Sequence, residues 1–298
     1  MPSPLAMLYL IASMAMTGAN VPLAKALLVD LPAESLLLLR FALASVVLAA
    51  VVRMEPGPPL SGLGVRQWGA VTVLGLVGSV LFTWFVLAGV SRTSGASAGI
   101  ITATLPAVIA LAGLALGHRL GWGQVAMIAL AVAGVGIVHG EAPREAGAGS
   151  ATQAALGNLL IGLAVVCEAT FAIVARGIST RIRPLRLSLA VALVSLAICL
   201  PFGGPALLDL PYSAISAGVW VMFLCYALAA SVLGTALWYL GVAHVEPWAA
   251  GLATAAVPVA AMAVSAVVLG ERISPVQIAG AGLVILAIVI GTVSGRRR

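Results

Sequence analysis

Apolar residues run almost without interruption along this chain, and the polar positions gather in short breaks instead of marking one face of each segment. Runs of roughly 20 apolar residues are the length a helix needs to cross the hydrocarbon core of a bilayer. They predict helices at about 5–28, 33–52, 67–90, 94–116, 121–139, 154–176, 186–207, 214–243, 247–269 and 275–294. The clearest breaks are residues 53–66, with Pro56, Pro58 and Pro59, and the Gly/Ala/Ser-rich stretch 140–153. The second break lies near the middle and reads as a linker, residues 141–153, between halves 1–140 and 154–298. The first apolar run lacks a basic segment before it and exceeds a signal-peptide core in length, so it is expected to remain as a first helix.

The halves resemble each other. TATLP at Thr102–Pro106 recurs as TAAVP at Thr254–Pro258, 152 residues on, and GHRLGWGQ at Gly117–Gln124 recurs as GERISPVQ at Gly270–Gln277, 153 residues on. Lys25 near the end of the first helix matches Arg176 near the end of the sixth. A tandem repeat of five helices follows. Because five is odd, equivalent helices must cross in opposite directions, which is the inverted-repeat plan of many secondary transporters. With a cytoplasmic N-terminus, Arg53, Arg66, Arg119, Arg176, Arg181, Arg183, Arg186 and the Arg296–Arg298 tail fall inside, against Arg92, Arg144 and Arg272 outside. The positive-inside rule therefore puts both termini in the cytoplasm and Glu145 outside.

Composition supports a lipid-facing chain. Charged residues make up 8% of its 298 residues and hydrophobic ones 62%, whereas soluble domains carry about 25% charge. The net charge of +6 sits at predicted helix ends and forms no basic stripe with interleaved aromatics, which argues against nucleic acid as a partner. Cys167, Cys199 and Cys225 lie singly inside apolar runs without CxxC spacing, so they are expected as small buried hydrophobes and no metal or cofactor site is expected.

GANVPLAK at Gly18–Lys25, the Arg40-Phe41 pair, the Pro-centred helices around Pro106 and Pro258, and LGERIS at Leu269–Ser274 together resemble the drug/metabolite transporter superfamily, EamA type, over both halves. The resemblance implies ten helices around a central cavity, with helices 5 and 10 often peripheral, and export of amino acids, amines or other metabolites. The single-chain layout and Ala/Gly/Leu-rich usage look most like the YddG-type exporters of aromatic amino acids, which implies a bacterial inner membrane. The chain departs from the family pattern at His118, where the first repeat often has Glu, and at Glu168, where an apolar or aromatic residue is usual.

Charges inside membrane helices are the most informative residues, since one at the bilayer centre costs on the order of 2.5–3.5 kcal/mol even on lenient scales. Arg40 lies about seven residues into the second helix, roughly 10 Å below its outer boundary. It has no basic counterpart in the repeat and could hold a substrate carboxylate bidentately. Glu168, equivalent to Thr17, is the acid nearest the middle of a helix; a carboxyl that changes protonation as a cavity opens to either side is a candidate proton-coupling group. Snorkelling is the competing reading for Arg40 and Lys25, and a structural hydrogen bond for Glu168. Pro106 and Pro258 remove backbone hydrogen bonds and leave the carbonyls of Thr102 and Thr254 for substrate or for local repair, and Asn20 and Pro22 in the first helix pose the same alternative. Phe82 and Trp84 in the third helix, and Tyr226, Trp238 and Tyr239 in the eighth, read either as an aromatic cavity wall or as an interfacial belt.

Rival functions find less support. GASAG at Gly95–Gly99 fits GxSxG, but it opens an apolar helix and not a strand-to-helix elbow. HExxH and Walker A sequences are absent, and no ring of like charges suggests a channel. The chain is expected to be a carrier of a small molecule among membrane lipids, and not an enzyme.

Overall fold

The computed structural model describes residues 4–55, 57, 59–90, 92–93, 101–140, 151–213, 215–268, 270 and 273–294. Within them all regular structure is helical. In chain order the helices are α1 (Pro4–Leu27), α2 (Ala33–Met54), α3 (Val65–Gly75), α4 (Phe82–Val90), α5 (Leu105–Ala115), α6 (Trp122–Gly140), α7 (Ala151–Ser179), α8 (Pro184–Leu208), α9 (Ala217–Leu228), α10 (Thr235–Val242), α11 (Pro247–Thr254), α12 (Ala256–Val268) and α13 (Pro275–Ser294). Among the described residues, seven continuous stretches are long and apolar enough to cross a membrane: Pro4–Ala24, Ala33–Met54, Val65–Val86, Thr152–Ser179, Pro184–Leu208, Ala217–Val242 and Pro247–Val268. Three shorter apolar stretches lie in α5, α6 and α13. In lipid a helix is the economical answer for such sequence, because it satisfies its own backbone groups.

Two predicted helices are not uniform. Between α3 and α4 the chain takes a π-helical turn at Leu76–Leu81, and between α9 and α10 another at Ala229–Gly234. The two turns begin and end 153 residues apart, the spacing already seen in the sequence repeat. The proline helices are interrupted by one turn residue that keeps right-handed helical dihedrals: α5 restarts after Thr104 with Pro106 in its first turn, and α12 restarts after Ala255 with Pro258 in its first turn. A first turn tolerates a missing N–H, so proline suits a restart. The predicted linker also ends earlier than expected, because residues 151–153 already belong to α7.

The recurring GHRLGWGQ and GERISPVQ motifs are helix punctuation. Gly117 and Gly270 adopt φ +87° and +67°, a left-handed conformation that glycine takes without steric cost. Gln124 then accepts the Gly121 N–H at 2.7 Å and Gln277 the Ser274 N–H at 2.9 Å, each closing the first turn of the next helix.

Two helix pairings join elements about one repeat apart: α2 packs along α8, which starts 151 residues on, and α6 along α13, which starts 153 residues on; α5 packs against α11. A Cβ on Gly89 would meet Ile161 at 2.6 Å and the Gly157 carbonyl at 3.2 Å, where α4 crosses α7. Its counterpart 152 residues on, Gly241, faces Leu10 at 2.8 Å and the Ala6 carbonyl at 2.7 Å, where α10 crosses α1. Ile161 and Gly157 follow Leu10 and Ala6 by 151 residues, so the two crossings are one contact used twice. At the far end of α2, Arg183 pairs with Glu55 at 3.2 Å and Arg186 donates to the Glu55 carbonyl at 2.8 Å, joining the ends of α2 and α8.

Candidate functional site

The two π turns face one cavity of about 150 Å3. Helices from both halves enclose it: α1, α2, the α3–α4 segment, α7, α8 and the α9–α10 segment. Single π turns inside α-helices are frequent at functional sites, because the extra residue redirects side chains and disturbs the carbonyl ladder.

Arg40 lines this cavity. Its Nη1 donates to the Tyr226 hydroxyl at 3.1 Å, and its guanidinium lies 4.6 Å from the Phe41 ring centroid and 5.7 Å from that of Tyr226. Its Nε is buried without a hydrogen-bond partner. Tyr226 itself is buried outside the cavity lining and serves as the post on which Arg40 rests. Asn20 supports that post, its Nδ2 donating to the Tyr226 carbonyl at 2.7 Å.

Glu168 lines the same cavity, and among the described residues neither it nor Arg40 makes an ion pair. Phe82, Trp238 and Tyr239 also line it. Trp238 Nε1 and the Tyr239 hydroxyl are buried with no partner. Trp84 turns away: it is 60% exposed and meets only Phe85 edge-on among aromatic rings. Thr254 is buried and donates its hydroxyl to the Gly251 carbonyl at 2.6 Å. Thr102, Pro22, Pro106 and Pro258 lie outside the lining as well. The Lys25 side chain, the GASAG motif, Glu145 and the Arg296–Arg298 tail fall outside the described positions. Cys167 and Cys199 are buried, but Cys225 is exposed on α9, a correction to the expectation that all three are buried: a thiol is apolar enough to sit on a helix face that lipid covers.

Residue reading missed several lining groups. Phe171 stacks on Trp238 with centroids 5.9 Å apart and tilts against Tyr239 at 6.2 Å. Gly78, in the first π turn, leaves the space that the Phe171 ring occupies. Hydroxyl pairs Ser13/Thr17, Ser79/Thr83 and Ser231/Thr235 also line the cavity. They share a signal that was present in the sequence: Ser-x-x-x-Thr occurs in each of three otherwise apolar helices. At the equivalent place in α7, Ala164 and Glu168 stand instead.

A family model described as the EamA-like transporter family matches the chain twice, at residues 4–139 and 155–293. The "Uncharacterized transporter YetK" of Bacillus subtilis (strain 168) is 33% identical over 293 residues, covering 97% of this chain and 87% of the relative. A solved crystal structure superposes with a TM-score of 0.78 over 98% of each chain at 20% identity, a likeness of fold alone.

Proposed function

The chain belongs to the EamA-like transporter family, and from that premise we propose that it is a secondary transporter or facilitator exporting small apolar amino acids across the bacterial inner membrane. One observation carries this reading: Arg40 and Glu168 share a cavity between the halves without an ion pair. Isolated charges in low dielectric cost several kcal/mol, and a zwitterionic ligand compensates both at once. Arg40 Nε, Trp238 Nε1 and the Tyr239 hydroxyl are unsatisfied donors, the groups a carboxylate needs. The cavity, of about 150 Å3 and lined by Met14, Phe41, Phe82, Phe171 and Val191, offers room and apolar surface for a small apolar side chain.

The same reading has ten spans in two inverted five-helix units, 1–140 and 154–298, with both termini cytoplasmic. Support comes from the twofold family match, the π turns at constant spacing and the repeated glycine crossings. The deciding experiment is counterflow: purified protein in liposomes preloaded with one unlabelled amino acid, screened across the twenty amino acids and several amines for accelerated entry of label. Saturable exchange of short apolar amino acids is expected. Non-saturating flux would make the protein a channel, and exchange confined to molecules with no carboxylate would remove the amino-acid assignment.

A further inference from the structure

We infer that Thr17, Thr83 and Thr235 form an acceptor subsite that reads a primary ammonium group on the ligand. The inference rests on the transport reading above and assigns the end of the ligand that Arg40 does not. Each threonine sits in the cavity lining four residues after a serine. Thr17 Oγ1 bonds the Ser13 carbonyl at 3.1 Å, Thr83 Oγ1 the Ser79 carbonyl at 2.7 Å, and Thr235 Oγ1 the Ser231 carbonyl at 2.8 Å. A carbonyl oxygen can only accept, so in each pair the hydroxyl donates its single hydrogen to its own helix. Ser13 spends its hydrogen as well, on the Gly234 carbonyl at 2.7 Å. These hydroxyls therefore present lone pairs alone to the cavity.

A wall of acceptors selects a ligand group that donates. An ammonium offers three N–H donors, a positive charge and no acceptor, whereas a hydroxyl offers one donor and an amide nitrogen at most two, so several acceptors are best filled by the ammonium. The three threonines reach the cavity from α1, α4 and α10, and Glu168 reaches it from α7. Thr83 and Thr235 are equivalents 152 residues apart in the third and eighth predicted helices, and the equivalent of Thr17, 151 residues on, is Glu168. Three neutral acceptors and one carboxyl thus occupy four matching positions in the two halves, and all four line the cavity.

Back-bonding of threonine is also an ordinary way to quiet a hydroxyl in an apolar helix, and α7 supplies the comparison. Thr170 makes the same bond, to the Val166 carbonyl at 2.8 Å, but lies outside the cavity lining. A merely structural role would make Thr170 equivalent to the other three.

The test uses the full-length protein in liposomes and measures counterflow of labelled L-alanine, L-valine and L-leucine, each competed by its own unlabelled form, its N,N,N-trimethyl form and its N-acetyl form. The trimethyl form keeps the positive charge and loses every N–H. The free amino acid should compete at least about tenfold better than either derivative. Thr83→Val and Thr235→Val should each weaken the free amino acid about tenfold while changing the trimethyl form little. Thr83→Ser and Thr235→Ser should restore affinity, and Thr170→Val should leave the selectivity as in wild type. Equal competition by free and trimethyl forms in wild type would overturn the inference, as would Thr→Val variants that weaken both forms alike or match Thr170→Val. Where the Thr→Val variants fail to elute as monodisperse protein, the wild type is read against the N-monomethyl and N,N-dimethyl amino acids: competition that does not weaken as each N–H is lost also overturns it. Exchange of N-acetyl amino acids alone would remove the ammonium subsite and leave a transporter. Exchange of nothing in the panel would remove the subsite and the amino-acid reading together.

Discussion

Arg40 is held against the cavity wall by Tyr226. Tyr226 accepts one of its N–H bonds and two ring faces flank it, while Nε has no partner. That arrangement fixes the guanidinium plane yet leaves donors for a carboxylate, so Arg40→Gln should weaken an amino acid by about tenfold or more, the scale of a charge-assisted hydrogen bond, while weakening its amide much less. Equal losses for acid and amide in competition counterflow would reduce Arg40 to a packing residue. Glu168 poses a different question at the same scale, because a neutral isostere separates charge from shape. If it couples transport to protons, Glu168→Gln will lose accumulation driven by a pH gradient and retain saturable counterflow, at lower affinity because the ligand's ammonium loses its counter-charge. A folded Glu168→Gln protein that still accumulates ligand down an imposed pH gradient would end that role.

At the scale of elements, close helix crossings depend on residues that add no bulk. Gly241 and Gly89 occupy equivalent crossings, but the obstacle differs: the nearest atom is the rigid Ala6 carbonyl at 2.7 Å for Gly241, and the end of the flexible Ile161 side chain at 2.6 Å for Gly89. A side-chain tip can rotate away and a backbone carbonyl cannot, so Gly241→Ala should cost about 1–3 kcal/mol of stability and Gly89→Ala less. Thermal melts in one detergent, with Gly282→Ala as the control because nothing lies within 4 Å of its added Cβ, give the ranking. Melting points in the opposite order would mean that α1 and α10 separate more easily than their backbone contact implies. The π turns belong to this scale too. Each brings one hydroxyl and a small residue to the cavity, Ser79 and Gly78 in one and Ser231 and Ala230 in the other, at places where periodicity alone predicted uninterrupted helix.

For the whole molecule, the proposed orientation places Thr180, in the turn between α7 and α8, inside the cell and Asp209, after α8, outside. Both are exposed. In a protein whose native Cys167, Cys199 and Cys225 are replaced, Asp209→Cys should react with an impermeant thiol reagent on intact cells, and Thr180→Cys should react only after permeabilisation. The reverse pattern would invert the topology and with it the direction assigned to export.

The all-helical, membrane-dominated character of the chain was determined by the sequence alone, because apolar runs of membrane-crossing length have few other ways to satisfy their backbones in lipid. The recurring loop motifs were equally legible, since Gly117 and Gly270 perform the same left-handed stop and Gln124 and Gln277 close the same first turn. Local chemistry of that kind needs no partner from elsewhere in the chain. Which polar residues meet was another matter. Arg40, Glu168, Phe82, Trp238 and Tyr239 line one cavity, while Trp84, two residues from Phe82, turns outward. A helix places neighbours about 100° apart, and a π turn shifts that phase for everything after it. The facing of α4 and α10 was therefore decided only when α1 and α7 closed against Gly241 and Gly89, and that tertiary choice made an acceptor wall of three scattered Ser-x-x-x-Thr pairs.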